Sequence, residues 1–156
     1  MAEFSFPDLT LTPEGQKYLS ELNKLVSLEV CVGLQAGDGS YANGADIVEI
    51  ASYNEFGTSD IPARPFMKQS WENHEAELQA ACEEANSVIL NGGSAEEACN
   101  LIGAVGVGLI QEEIVSGGFA PNAPSTVRKK GSAQPLIDTG QMRQSIHYIV
   151  RGAGSS

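Results

Sequence analysis

The sequence YNEFGT at residues 53–58, followed by IPARPFM at residues 61–67, decides how the rest of the chain is arranged. Gly57 can adopt the left-handed conformation that ends helices, so the helical pattern before it is predicted to stop there. Pro62 and Pro65 fix φ and exclude helical geometry from the residues that precede them. The chain therefore turns a rigid corner, after which Pro65 is well placed to begin a helix.

This corner offers side chains for contact rather than for catalysis. It carries one anion, Glu55, and one cation, Arg64, between the aromatic residues Tyr53, Phe56 and Phe66. A nucleophile beside a base, as acyl transfer requires, is not evident in the stretch. We interpret the corner as an architectural element.

Working outward, two segments near opposite ends of the chain alternate between apolar and polar residues. Residues 28–35 and 145–151 each place apolar side chains on one face, as half-buried strands do. Between them, apolar residues recur at helical spacing over residues 65–91 and 94–116. We predict an α+β fold in which a small, mostly antiparallel sheet packs against these two long helices, with shorter helices elsewhere.

Helix ends and loops are marked by their own signals. Thr12 and Asp46 are predicted N-caps, and Ser94 with Glu97 forms a capping box. Gly103, Gly106 and Gly108 lie inside a predicted helix, where glycine is costly, so we expect another helix to approach them closely, either the preceding helix or one from a neighbouring copy. We expect residues 1–156 to form one domain with an N-terminal arm (1–11), a long loop (117–136) and a frayed tail (152–156).

The charge is strongly negative and unevenly distributed. The net charge is −11, which argues against a general nucleic-acid-binding surface. Residues 72–113 contain nine glutamates and no lysine or arginine, whereas residues 114–156 contain five basic residues and one aspartate. The acidic segment is either a solvated helix face or one side of a contact between copies of the chain, whose basic ends would meet it. No apolar run of membrane-spanning length is recognised.

The sequence gives little support for a catalytic site or a metal site. The three cysteines are widely spaced and embedded in apolar patterns, so buried, reduced thiols are expected. Neither a CxxC pair nor paired histidines indicate zinc, and no cofactor motif is present. His74 lies beside an apolar stripe and is interpreted as a packed or hydrogen-bonded histidine. We expect a protein that is not an enzyme.

Four motifs in order resemble the tail-completion (neck) family of long-tailed bacteriophages. They are YNEFGT (53–58), IPARPFM (61–67), the Pro-Ser-Thr element at 124–126, and PLIDTG at 135–140 followed by Met142, Ser145 and Ile146. The resemblance covers about residues 28–151. It implies a virion protein that forms a ring, commonly of six copies, at the head-proximal end of the tail.

The resemblance also implies partners and a location. Such a ring closes the tail tube, docks to the head connector and lets the genomic DNA pass through without specific binding. The protein would be made and assembled in the bacterial cytoplasm, with no membrane partner. The alternative is another phage morphogenesis factor, either a head-closure component or a tail-assembly protein absent from the virion. The candidate assembly residues are Asn54, Glu55, Phe56, Gly57, Thr58, Arg64, Pro65, Phe66, Arg128, Lys129 and Lys130.

Overall fold

The computed structural model describes residues 10–130 and 140–155, except for the side chain of Lys130. Within these residues it contains helices and a two-stranded antiparallel sheet, with two long helices packed on the sheet, which confirms the α+β fold class. The elements are α1 (Pro13–Leu25), β1 (Leu28–Gly33), α2 (Ile47–Phe56), α3 (Phe66–Asn73), α4 (Glu75–Leu90), α5 (Ala95–Ser116), α6 (Pro124–Lys130), α7 (Gln141–Ser145) and β2 (His147–Gly152).

Backbone packing divides the described chain into two compact units. The first draws on the described residues of 1–32, 76–106 and 148–156, and the second on those of 33–75 and 107–147. Each unit is therefore assembled from stretches that are distant in sequence. The expectation of a single domain stays a prediction.

The first unit contains α1, the paired strands, most of α4 and the first half of α5. Its core includes Ala85, Ile89 and Ala98, against which Tyr18 and Leu101 pack. Beside the paired strands, the backbone N–H of Ala153 donates to the carbonyl of Ser27 at 2.8 Å.

Helix capping follows the predicted pattern. Thr12 accepts from the N–H of Gly15 at 3.2 Å, and Asp46 accepts from that of Glu49 at 3.0 Å. The capping box at the start of α5 is also confirmed, because Ser94 N–H donates to the Glu97 carboxylate at 2.7 Å and Glu97 N–H donates to the Ser94 hydroxyl at 3.1 Å. These bonds satisfy backbone donors that have no partner within the helix.

Gly103 is approached closely, but by an aromatic ring from a strand rather than by a helix, and a Cβ added at Gly108 would meet nothing within 4 Å, contrary to the expectation for that glycine. A Cβ added to Gly103 would lie 2.3 Å from Cδ2 of Tyr148, which belongs to β2. The Tyr148 hydroxyl then reaches the side-chain oxygen of Asn100 at 3.3 Å. Glycine is required here because the ring of Tyr148 lies where a side chain would stand.

The single helix predicted over residues 65–91 is wrong. α3 ends at Asn73, His74 adopts φ −119° and ψ 29°, and α4 begins at Glu75. Asn73 and His74 both direct their side chains to Glu113, at 3.1 and 3.2 Å. Successive side chains on a continuous helix point about 100° apart, and the interruption at His74 accompanies the convergence of both side chains on one carboxylate.

Smaller differences concern strand and loop boundaries. β1 ends at Gly33 rather than at residue 35, because the N–H of Gln35 donates to the carboxylate of Asp38 instead of to a neighbouring strand. Ser145 belongs to α7, so β2 begins two residues later than predicted. The region 117–136 is not a continuous loop, since it contains α6. The arm at 1–11 lies almost entirely outside the described residues, as does Leu136.

The three cysteines are free, but they differ in exposure. Cys99 is buried and its burial raises the pKa of the thiol, whereas Cys31 is half-buried and Cys82 is exposed. The expectation that all three are buried is therefore wrong for Cys82. The buried stripe of α4 follows Ala81, Ala85 and Ile89, and residue 82 lies beside it.

α5 is long and apolar enough, by length and composition, to cross a membrane, contrary to the expectation from the sequence. The core helix of a soluble protein passes the same criteria. α5 places Ala98 and Ile110 in the interior and keeps the charged side chain of Glu113 among polar partners. These contacts are typical of a helix packed within a folded protein.

Candidate assembly site

The corner after α2 is built around Gly57, in the second unit. Gly57 has φ 74°, as predicted, and a Cβ at this position would lie 2.9 Å from the backbone nitrogen of Ala63. The N–H of Thr58 donates to the carbonyl of Ile61 at 2.9 Å, and the Thr58 hydroxyl accepts from the N–H of Ile61 at 3.0 Å. These two hydrogen bonds between Thr58 and Ile61 complete the turn before the chain reaches Arg64.

Arg64 is an internal brace. Its side chain is buried, with 6% of the residue exposed. Nε donates to the carbonyl of Ala120 at 2.8 Å, and the two terminal nitrogens donate to Asn54 Oδ1 at 3.2 Å and to the carbonyl of Pro121 at 3.1 Å. Burial lowers the pKa of the guanidinium, although arginine stays charged at neutral pH. This geometry turns Arg64 toward its own chain rather than toward a second copy.

Glu55 acts as a cap for the next helix. Its carboxylate accepts from the backbone N–H groups of Met67 at 2.9 Å and Lys68 at 3.0 Å. A negative charge at this end of α3 is stabilised by the helix dipole. Pro65 precedes the first helical residue, Phe66, so the helix begins one residue later than expected. Glu55 and Arg64 thus have separate partners, and two of the acceptors of Arg64 lie outside the corner.

The four motifs meet at one groove. Arg64 lies in the second motif, bonds to Asn54 of the first, and reaches carbonyls at 120 and 121, just before the Pro-Ser-Thr element. The groove beside it has a volume of about 430 Å³, and its lining also includes Thr126 and Met142 from the third and fourth motifs. Residues 135–139 of the fourth motif lie outside the described residues. Segments that are far apart in sequence therefore share one structural centre.

The outer side of α2 is apolar and exposed. Phe56 is 81% exposed and Tyr53 is 39% exposed, whereas Phe66 is fully buried. Beside Phe56 lies a smaller groove of about 170 Å³, lined mainly by apolar side chains that include Leu34, Val48 and Met67. Of the predicted assembly residues in the corner, Phe56 and Thr58 are exposed. Phe56 is the one that offers a large apolar surface to a partner.

The basic residues predicted for assembly lie on α6. Arg128 and Lys129 are exposed, and the side chain of Lys130 lies outside the described part of the chain. α6 begins at Pro124, so the third motif opens this helix. The structure thus presents exposed cations close in sequence to the carbonyls that Arg64 binds.

The acidic segment is not uniformly a solvent-facing surface. Eight of its nine glutamates are exposed, but Glu113 is 3% exposed. Its carboxylate accepts from Gln69 at 2.6 Å and Asn73 at 3.1 Å, and lies 3.2 Å from His74 Nε2. His74 is therefore hydrogen-bonded, as interpreted. The spacing of Ile110, Glu113 and Ile114 places Glu113 on the buried stripe, a signal that the sequence reading missed.

A second buried glutamate lies in the first unit and was also missed. Glu21 is 8% exposed, and its carboxylate accepts from the backbone N–H of Ala95 at 2.8 Å and pairs with Lys24 at 3.2 Å. These bonds lower the pKa of Glu21, with the backbone bond contributing most. Glu21 follows Tyr18 by three residues and precedes Leu25 by four, which puts it on the apolar stripe of α1.

The charged groups of the corner and of the core have partners within the chain. Among the described residues, no group of three or more His, Cys, Asp or Glu side chains could hold a metal ion. The buried charged groups described above are engaged in capping, bracing or hydrogen-bonded networks. Comparison of the chain with protein-family models, curated proteins and solved structures found no significant match.

Proposed function

We propose that this protein is a structural virion component, the tail-completion or neck protein of a long-tailed bacteriophage. Several copies, six by the family resemblance, would form a ring that closes the head-proximal end of the tail tube and joins the head connector. The observation that carries this proposal is the order of the four motifs along residues 53–146. The groove beside Arg64 is lined by residues from all four motifs. This shared location supports the proposal, because it indicates that the motifs belong to one structural element.

The surface of the chain also suits assembly. Phe56 displays a large apolar side chain, α4 carries exposed glutamates without a basic residue, and α6 carries the exposed cations Arg128 and Lys129. Isolated exposed apolar residues are ordinary, but an aromatic residue beside an apolar groove is the composition of a contact surface. The buried Arg64 and the half-buried Glu55 give this surface a rigid support, which lowers the entropic cost of docking.

The net charge suits a channel through which DNA moves. Exposed glutamates of α4, such as Glu83 and Glu84, would repel phosphates if they line the lumen, and this would prevent DNA from adhering. Glu113 is buried and takes no part in such a lining. A ring whose lumen is lined by Arg128 and Lys129, with these glutamates outside, would contradict this element of the proposal.

The decisive experiment is cryo-electron microscopy of the virion neck, supported by mass spectrometry of purified particles. We expect density for this chain as a closed ring between the tail tube protein and the head connector. Absence from mature particles, with accumulation of unfinished tails in a deletion strain, would instead identify a tail-assembly factor. Density within the head connector would identify a head-closure component.

A further inference from the structure

We propose that the outer side of α2 docks onto α6 of a second copy of this chain, with Phe56 as the apolar anchor. The inference deepens the proposed ring function and rests on it for the closed arrangement. We call the exposed side chains Glu49, Tyr53 and Phe56, together with the adjoining small groove, the α2 face. The exposed basic side chains Arg128 and Lys129 lie on the opposing element, α6.

The small groove is suited to an apolar side chain. Its two polar side chains are already engaged, since Glu55 caps α3 and the Ser52 hydroxyl donates to the carbonyl of Val48 at 2.8 Å. Its volume of about 170 Å³ is close to that of a cavity of about 150 Å³ that accepts benzene. One side chain the size of valine, leucine or a single aromatic ring would fill it.

Charge identifies the partner as the basic helix of another copy. Residues 25–63 contain six acidic residues and neither lysine nor arginine, and Glu49 is exposed on the α2 face. α6 offers Arg128 and Lys129 beside the half-buried, apolar Val127. An apolar residue flanked by cations complements an apolar groove flanked by an anion, and such complementarity fixes the register of a contact.

The two surfaces differ, so the contact is head-to-tail. Each copy would use its α2 face toward one neighbour and its α6 toward the other. Repetition of such a contact produces a ring when the rotation between copies closes. A helix against an apolar groove is a familiar mode of recognition, with the apolar residue supplying affinity and the charges supplying specificity.

Photocrosslinking in trans tests this contact. One batch of the protein carries benzoylphenylalanine in place of Phe56, and a second, isotopically labelled batch carries the native residue. After the batches are mixed and irradiated, we expect inter-chain crosslinks whose labelled partner peptide contains residues 124–130. Crosslinks that map to another segment between chains, or none between chains, would overturn the proposal.

Variants separate the anchor from the charges. We expect Phe56→Ser to weaken self-association by about tenfold, measured by analytical ultracentrifugation, whereas Leu90→Ser, at another exposed apolar side chain, leaves it unchanged. Arg128→Glu with Lys129→Glu should weaken it as well, and Glu49→Lys in the second copy should restore it. Equal effects of Phe56→Ser and Leu90→Ser, or a failed charge swap, would contradict the contact.

The outcomes keep the contact and the function distinguishable. Crosslinking of Phe56 to α6 by a protein that is absent from virions would support the contact and reject the neck function. A ring in the virion neck whose copies meet through other surfaces would support the neck function and reject the contact.

Discussion

The guanidinium of Arg64 donates to the side-chain oxygen of Asn54 at 3.2 Å, and this bond joins two motifs that are separate in the sequence. The N–H of Arg64 also donates to the backbone carbonyl of Asn54, so backbone and side chain are both held. The same guanidinium binds the carbonyls of Ala120 and Pro121. Arg64 therefore holds its own part of the corner both to Asn54, near the start of the corner, and to the carbonyls of residues 120 and 121.

Replacing this cation should damage folding before it damages assembly. Arg64→Ala would leave the carbonyls of Ala120 and Pro121 and the amide of Asn54 without their donor. We expect a loss of about 2–4 kcal/mol in the free energy of unfolding, measured by urea denaturation. Arg128→Ala is the control, and this exposed change should cost less than about 0.5 kcal/mol. Unchanged stability in Arg64→Ala, combined with failed assembly, would assign Arg64 to an interface after all.

Gly57 tests the geometry of the corner. Gly57→Ala requires a left-handed backbone and places its Cβ 2.9 Å from the nitrogen of Ala63. Gly37→Ala has the same kind of backbone, at φ 94°, but would meet nothing within 4 Å. We expect a cost of about 1 kcal/mol for the strain at Gly37 and about 2–4 kcal/mol at Gly57, where backbone atoms must also move. Thermal unfolding of both variants measures the difference, and equal costs would show that the contact with Ala63 is unimportant.

Local signals predicted the elements well, because they are carried by neighbouring residues. Caps such as Thr12 and Asp46 and the stop at Gly57 depend on side chains and dihedrals within a few positions. The alternation of apolar residues likewise predicted both strands to within two residues at either end. The fold class followed from these elements.

The partners of the buried and half-buried charged side chains could not be predicted, because they come from distant parts of the chain. Glu55 caps a helix twelve residues away, and Glu21 caps one at a separation of 74 residues. Whether Arg64 faces its own domain or a neighbouring copy was left open by the sequence, since nothing in it reveals the carbonyls at 120 and 121 as acceptors. The break at His74 was also missed, and His74 hydrogen-bonds to Glu113, 39 residues further along the chain.

Two glycines of α5 should respond to alanine in opposite directions. Gly103→Ala would place a Cβ 2.3 Å from the Tyr148 ring, whereas at Gly108 the added Cβ would meet nothing within 4 Å. We expect Gly103→Ala to destabilise the protein by about 2 kcal/mol or more, because the ring must move. Gly108→Ala should stabilise it by about 0.5–1 kcal/mol, since alanine favours a helix interior.

Chemical denaturation at neutral pH measures the free energy of unfolding of the Gly103→Ala and Gly108→Ala variants. The double variant Gly103→Ala with Tyr148→Ala distinguishes steric exclusion from a general intolerance of position 103. If the contact with Tyr148 is the cause, adding Gly103→Ala to Tyr148→Ala should cost much less than adding it to the native chain. An unchanged cost would place the obstruction elsewhere.

Acid should weaken the protein through Glu21. The N–H of Ala95 and the ammonium of Lys24 both favour the ionised carboxylate, so its pKa in the folded chain lies below the ordinary value of 4.5. A group whose pKa is lowered by folding contributes stability above its unfolded pKa and loses that contribution as the pH falls through its folded pKa. We therefore expect the contribution of Glu21 to be complete at pH 7 and to be lost progressively below about pH 4.5.

Urea denaturation across this range should show that Glu21→Gln is less stable than the native protein at pH 7 and that the two converge in acid. Glu84→Gln, at an exposed position of α4, is the control and should change the stability at pH 7 by less than about 0.5 kcal/mol. A constant difference between Glu21→Gln and the native protein from pH 7 to pH 3 would show that Glu21 acts through packing rather than through its charge.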